Sequence, residues 1–160
     1  MAASKIRMEN ARIIWRNFSG KADKFNPKGG KRSFSVVIED ADLASQLIED
    51  GWNVKQLKPR NEEEEENPRY SMQVKVSFDN KPPRVYLVTR NNKVLMTEDT
   101  IDSLDYAEIQ NVDLVITPYT YDVNGKSGVA AYLKTMYVTV IEDEFADKYD
   151  FGEDEEVPFD

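Results

Sequence analysis

The sequence predicts a mainly β domain, a small barrel or sandwich around one core, followed by an acidic tail. Three observations carry that expectation. Apolar and polar residues alternate along several runs, most cleanly from Tyr70 to Phe78. Turn signals punctuate the runs: Asn26-Pro27, Gly29-Gly30, Pro82-Pro83, Asn91-Asn92 and Asn124-Gly125. Only two short stretches, after Asp40 and after Thr97, carry helical spacing. With 160 residues, 40% of them apolar and 32% charged, there is material for one core and not for two.

Met8 to Phe18 reads as the first strand, rich in β-branched and aromatic residues. Its alternation puts Ala11, Ile13 and Trp15 on one face and Arg12, Ile14, Arg16 and Phe18 on the other. Ser19 to Arg32 holds one proline, three glycines and five bases, a loop by its breakers. Ser33 to Glu39 resumes a strand, so the pair forms a hairpin with a long basic tip. Asp40 starts a short helix with Ala44, Leu47 and Ile48 inward, and Gly51 ends it. Trp52 to Lys58 is a strand candidate, followed by a Glu-rich loop between Pro59 and Pro68. After Tyr70–Phe78 come strands at Arg84–Thr89 and Val94–Met96. A second short helix spans about Glu98 to Tyr106, with Thr97 as N-cap and Ile101 and Leu104 inward. Gln110 to Val123 and Ser127 to Ile141 are long strands joined by Asn124-Gly125, a strong two-residue hairpin signal.

A short helix directly before the last long hairpin is where an OB-type five-stranded barrel places its helix. The helix at Asp40 and the extra strands are then insertions. An SH3-like barrel or an unrelated α+β sandwich stays open on periodicity alone. Residues 1–141 form the domain. Residues 142–160 bury too little apolar surface to offset their ordering entropy and are expected to be disordered.

Charge is unevenly placed. The chain carries −9 overall, yet Glu142 to Asp160 holds ten acids against one base, Lys148, and so carries that −9 by itself. The first 32 residues hold nine bases against Glu9 and Asp23. A basic front on an acidic chain points to a polyanionic partner more sharply than the net charge does. Cysteine and histidine are both absent, which excludes disulfides, Cys/His zinc sites and imidazole catalysis. No signal peptide and no apolar run of membrane-spanning length is present, so a soluble intracellular protein is expected.

Unpaired nucleic acid needs cations along its phosphates and flat rings against its bases. The front supplies Arg12, Arg16, Phe18, Lys21, Lys24, Phe25, Lys28, Lys31 and Arg32. The last hairpin supplies Tyr119, Tyr121, Lys126, Tyr132 and Lys134, and Trp52 and Lys55 form a weaker third set. Phe34 shares parity with Val36 and Ile38 and reads as core, and Trp52 reads more readily as a packing anchor than as a base stacker. Lys75 lies on the polar face of its strand and matters only if that face is the groove. Asp99, Asp102 and Asp105 recur at helical spacing and could hold Mg²⁺ in a carboxylate-metal nuclease, but acids near a helix start have a simpler cause in the dipole. A non-DNA adaptor or DNA mimic, using the tail and the run Glu62–Glu66, is the stronger alternative. No phosphate-cradling glycine loop or nucleophile elbow is present, no cofactor is implied, and no helix is long and basic enough for a major groove.

The blocks Phe18-Ser19-Gly20, Asn26-Pro27, Gly29, Arg32-Ser33-Phe34, Gly51-Trp52-Asn53-Val54-Lys55 and Gly128 to Lys134 resemble the OB-fold single-stranded DNA-binding proteins of tailed phages. The ending Glu155-Glu156-Val157-Pro158-Phe159 is similar to the acidic tip of bacterial single-stranded DNA-binding proteins, except that Asp160 follows the phenylalanine. These resemblances imply sequence-tolerant coating of single strands in phage replication or recombination, in a bacterial cytoplasm. They also imply a tail that recruits replication or recombination proteins. The tail, a tethered polyanion, is further expected to compete for the DNA groove.

Overall fold

The structure is a computed structural model and describes residues 4–22, 24, 27–79 and 81–141. Phe25 and the tail from Glu142, with its Val157-Pro158-Phe159 tip, lie outside the described residues. Nine strands are described: β1 (Ile6–Met8), β2 (Arg12–Asn17), β3 (Arg32–Ile38), β4 (Val54–Gln56), β5 (Tyr70–Val76), β6 (Arg84–Val88), β7 (Lys93–Met96), β8 (Ile109–Val123) and β9 (Lys126–Val140). Two α-helices, α1 (Ala41–Glu49) and α2 (Glu62–Glu66), and one 3₁₀ turn (Ile101–Asp105) complete the elements.

The sheet runs β1-β8-β9-β5-β3-β2, with β4 on β5, β6 on β9 and β7 on β6. Its two ends, β1 and β2, are neighbours in the chain and pair with β8 and β3 but not with each other, so the ladder is not closed. Instead of the single strand expected over Met8–Phe18, the chain breaks at Glu9-Asn10. Asn10 takes a left-handed φ of 54°, and its N–H donates to Asp113 Oδ1 at 2.8 Å. One N-terminal segment thereby serves both ends of an OB-type sheet, with the 3₁₀ turn between β5 and β8.

The core gathers the inward residues of the strands. Phe34, Val36 and Ile38 of β3 face Met72, Val74 and Val76 of β5, and Met136 and Val138 of β9 lie beside Val112 and Leu114 of β8. Ile101 and Leu104 of the 3₁₀ turn are fully buried, as their spacing predicts. Each such side chain contributes roughly 1.5–3 kcal/mol by leaving water.

Asp40 caps α1, accepting from the N–H groups of Asp42 and Leu43. Ala44 and Leu47 are buried, but Ile48 is half exposed, a correction to the inward face expected for it. The glutamate run also departs from expectation, forming α2 rather than a loop. Asn61 caps it, accepting from Glu64 N–H, and glutamates in a first turn suit the positive end of the helix dipole. Glu64 sits between Arg60 and Arg69. The hydrogen bonds from the Arg60 side chain and N–H hold its carboxyl down to about 2.

Candidate nucleic-acid interface

The outward residues of β2, β3, β5 and β9 line up in cross-strand rows. Asn17, Ser33, Lys75, Tyr132 and Thr117 form one row, Ile14, Ser35 and Gln73 a second, and Arg12, Val37, Ser71 and Lys55 a third. Above the first two rows lies a cleft of about 630 Å³. Its floor is small and polar, its rim cationic and aromatic: Lys31, Arg32 and Lys75 with Trp15, Phe78 and Tyr132.

Trp15 owes its place to a bulge. Ile14 pairs with Ser35 and Asn17 with Ser33, so two residues of β2 stand where one would fit. Trp15 takes a left-handed φ of 52° and leaves the face that alternation assigns it with Ala11 and Ile13, ending 66% exposed at the cleft. An L-residue in that region costs roughly 1–2 kcal/mol. Such strain, beside an exposed ring, makes Trp15 a candidate contact residue rather than a packing one. Alternation cannot reveal it, because the bulge is what breaks the alternation.

The same bulge turns Arg16 the other way. Its Nη1 donates to the carbonyl oxygens of Leu104 and Ala107, both at 2.8 Å, so it ties down the 3₁₀ turn instead of facing a phosphate. Phe18 is likewise a correction. It is fully buried and stacked on Phe34 at 5.3 Å between centroids, and offers no face to a base. Its N–H and that of Ser19 donate to the Asp105 carboxylate, at 2.6 and 3.1 Å. Asp105 is thus engaged by backbone, and among the described residues no group of three acids could hold a metal ion. Trp52 is buried too, bridging to Val129 as an anchor of the last hairpin.

Lys21 donates to the Tyr106 hydroxyl and lies 4.9 Å from that ring, away from the cleft lining; the hydrogen bond raises its pKa. At the base of the basic tip, Gly30 N–H donates to Gly20 O at 2.7 Å, with both glycines at positive φ. Lys24, Lys28 and Lys31 are exposed along this tip. Arg32 lies over the Phe78 ring and pairs with Glu98 at 3.1 Å. Its Nε is buried without a hydrogen-bond partner among the described residues.

On the last hairpin, Tyr132, Tyr119 and Tyr121 share the groove face, across from Thr117, Ala130 and Gly128. Tyr119 is 58% exposed and meets Tyr132 edge-on at 5.8 Å, while Lys75 Nζ lies over Tyr132. Tyr121 is held down, its hydroxyl donating to Asn53 Oδ1. A Cβ on Gly128 would meet that hydroxyl at 2.7 Å, so the glycine is what admits the ring. Lys126 is exposed at the hairpin tip, and Lys55 on β4 faces the same side as the cleft floor. Lys134 stands at a second bulge, where Ile116 pairs with Leu133 and Val115 with Thr135. The cleft therefore unites Lys31, Arg32 and Tyr132 and adds Trp15, Gln73, Lys75 and Phe78 to the residues proposed from sequence. Two acids, Asp79 and Glu98, also line it.

A family model for a phage ssDNA-binding domain matches residues 1–157 of this chain. Among curated protein sequences, none matches. Among solved structures, the single-stranded DNA-binding protein of bacteriophage Enc34 in complex with ssDNA is similar, with a TM-score of 0.56 at 15% identity over 89% of each chain. A C-terminal truncation of the Enc34 protein gives a TM-score of 0.54 at 13% identity, covering 89% of this chain and 87% of that one. At these identities the likeness is one of fold.

Proposed function

The chain belongs to the phage ssDNA-binding domain family, and from that premise we propose that its cleft holds single-stranded DNA without regard to base sequence. The observation that carries the reading is the bulge that turns Trp15 out beside Lys75 and Tyr132. Trp15, Tyr132 and Tyr119 offer faces or edges to bases, which stack irrespective of identity. Arg12, Lys31, Arg32, Lys55 and Lys75 lie along the same side and neutralise phosphates. Glu98 pairs with Arg32 Nη1, so a phosphate that reaches this guanidinium competes with an existing ion pair. The mechanism is binding, with no bond made or broken.

The tail serves as a second ligand in this proposal. Glu155 and Glu156 steer it, Val157-Pro158-Phe159 is a short apolar tip for replication or recombination proteins, and its charge competes with DNA for the cleft. Deleting residues 142–160 should raise affinity at low salt, and unchanged affinity would remove the competition.

Titration with oligo-dT, followed by tryptophan fluorescence, tests the main reading. With Trp52 buried, a quench reports chiefly on Trp15. Five neutralised phosphates give a log K against log salt slope of about −3.5, at ~0.7 per phosphate on single strands. Binding that ignores salt, or that survives loss of both the Trp15 and Tyr132 rings, overturns the reading.

A further inference from the structure

We propose a second nucleic-acid track on the outer face of β9, running from Tyr132 past Lys134 to a platform formed by Tyr137, Tyr86 and Lys93. The proposal rests on the cleft reading above and extends it to a surface that the cleft does not include.

The platform is built by register. β6 lies parallel to β9 with Tyr86 opposite Tyr137, and the two rings stack at 4.8 Å between centroids and 17° between planes. Lys93, from the neighbouring β7, places its Nζ 5.0 Å from one ring centroid and 5.7 Å from the other. Inward neighbours Val85 and Met136 are fully buried, so the pair stands on the outer side of a rigid sheet. Leu95, opposite Tyr86 on β7, is 53% exposed and widens the apolar area. Rings on a firm base beside a cation are what an unpaired base requires.

Continuity with the cleft comes from the bulge at Lys134. The extra residue keeps Tyr132 and Tyr137 on the same outer face, opposite Thr117 and Asp113 and so about 13 Å apart at ~3.3 Å per rung. Between them lies a group of cations. Lys5 precedes β1, whose Ile6 pairs with Ile116, placing it across β8 from this part of β9. Lys5 and Lys134 are close enough to depress the Lys134 pKa, with a smaller push from Lys81. All three are exposed, and no ion pair among the described residues engages them. Like charges gathered without a counter-charge repel one another, and a phosphate relieves that repulsion.

Two oligo-dT lengths separate this track from the cleft. One of about 8 nucleotides fits a single OB groove, and one of about 30 runs well beyond it. In the full chain, Tyr86→Ala with Tyr137→Ala should leave the short oligomer's affinity unchanged and weaken the long one at least about fivefold. Tyr86→Phe with Tyr137→Phe, which keeps the rings, should restore long-oligomer binding. Lys93→Gln, an exposed change that leaves the pair standing, should weaken the long oligomer alone and make its salt slope shallower by about 0.7. Equal long-oligomer binding by wild type and the alanine variant overturns the track and leaves the platform to a protein partner or to stability. Equal loss on both lengths also overturns it, because the effect then passes through the fold. Failure of the wild type to bind even the short oligomer overturns the cleft reading and the track with it.

Discussion

Replacing Trp15 by alanine and, separately, by glycine removes the same ring from one backbone position with opposite conformational consequences. At φ 52° an alanine keeps a Cβ in the left-handed region, whereas glycine occupies it freely. The left-handed penalty of about 1–2 kcal/mol is partly offset by the greater freedom of glycine in the unfolded chain. The glycine variant should therefore be more stable than the alanine variant by about 1 kcal/mol. For a domain of this size that is roughly 2–4 °C in Tm. Binding should not distinguish them. With Trp15 two-thirds exposed, both lose one stacked base, about 1–3 kcal/mol, or roughly 5- to 150-fold in the Kd for oligo-dT. Thermal unfolding followed by circular dichroism, with anisotropy titration at fixed salt, measures both. An alanine variant as stable as the glycine variant would refute the strained-bulge argument. Wild-type affinity in both would refute the role of the ring.

Other outcomes follow from the same contacts. Phe18→Ala empties a fully buried site and should destabilise by about 3–5 kcal/mol, while the fraction that remains folded binds oligo-dT with wild-type affinity. Arg16→Gln should lower Tm by releasing the Leu104 and Ala107 carbonyls and leave the salt slope of binding unchanged; a shallower slope would return Arg16 to the phosphate contacts. Glu64, with its folded pKa of about 2 set by Arg60, adds stability that is complete above the ordinary glutamate range and lost as pH falls from about 4.5 toward 2. Urea midpoints across that window should fall more steeply for wild type than for Glu64→Gln, and parallel curves would dismiss the ion pair as a stabilising contact. Gly128→Ala should displace the Tyr121 ring, visible as loss of its near-ultraviolet dichroism, with the hairpin otherwise retained.

Much of the candidate site is legible in the chain, and its gaps along β2 share one cause. Tyr119 and Tyr132 follow from the parity of a hairpin fixed by Asn124-Gly125, and the exposure of Lys24, Lys28 and Lys31 from the breakers around them. Phe18, Arg16 and Trp15 are each misplaced by simple alternation because a single extra residue in β2 shifts the chain between faces. No local preference announces that insertion, since a tryptophan is an unfavourable choice for a left-handed position. Lys75 is plainly outward from its strand, yet whether outward means solvent or groove depends on which strands become neighbours. The glutamate run reads as solvated loop until Arg60 and Arg69 converge on Glu64.

The sequence by itself determined the mainly β class, the hairpins, the buried faces of the long strands and the separation of a basic front from an acidic end, because alternation, turn chemistry and charge are local properties. Tertiary structure alone decided which cations and rings share a surface: the Trp15 bulge, the rows joining Asn17 to Tyr132, the Arg32–Glu98 pair and the Tyr86–Tyr137 stack. Each of these depends on register between strands far apart in the chain, and register is settled by packing of the whole core rather than by any segment within it.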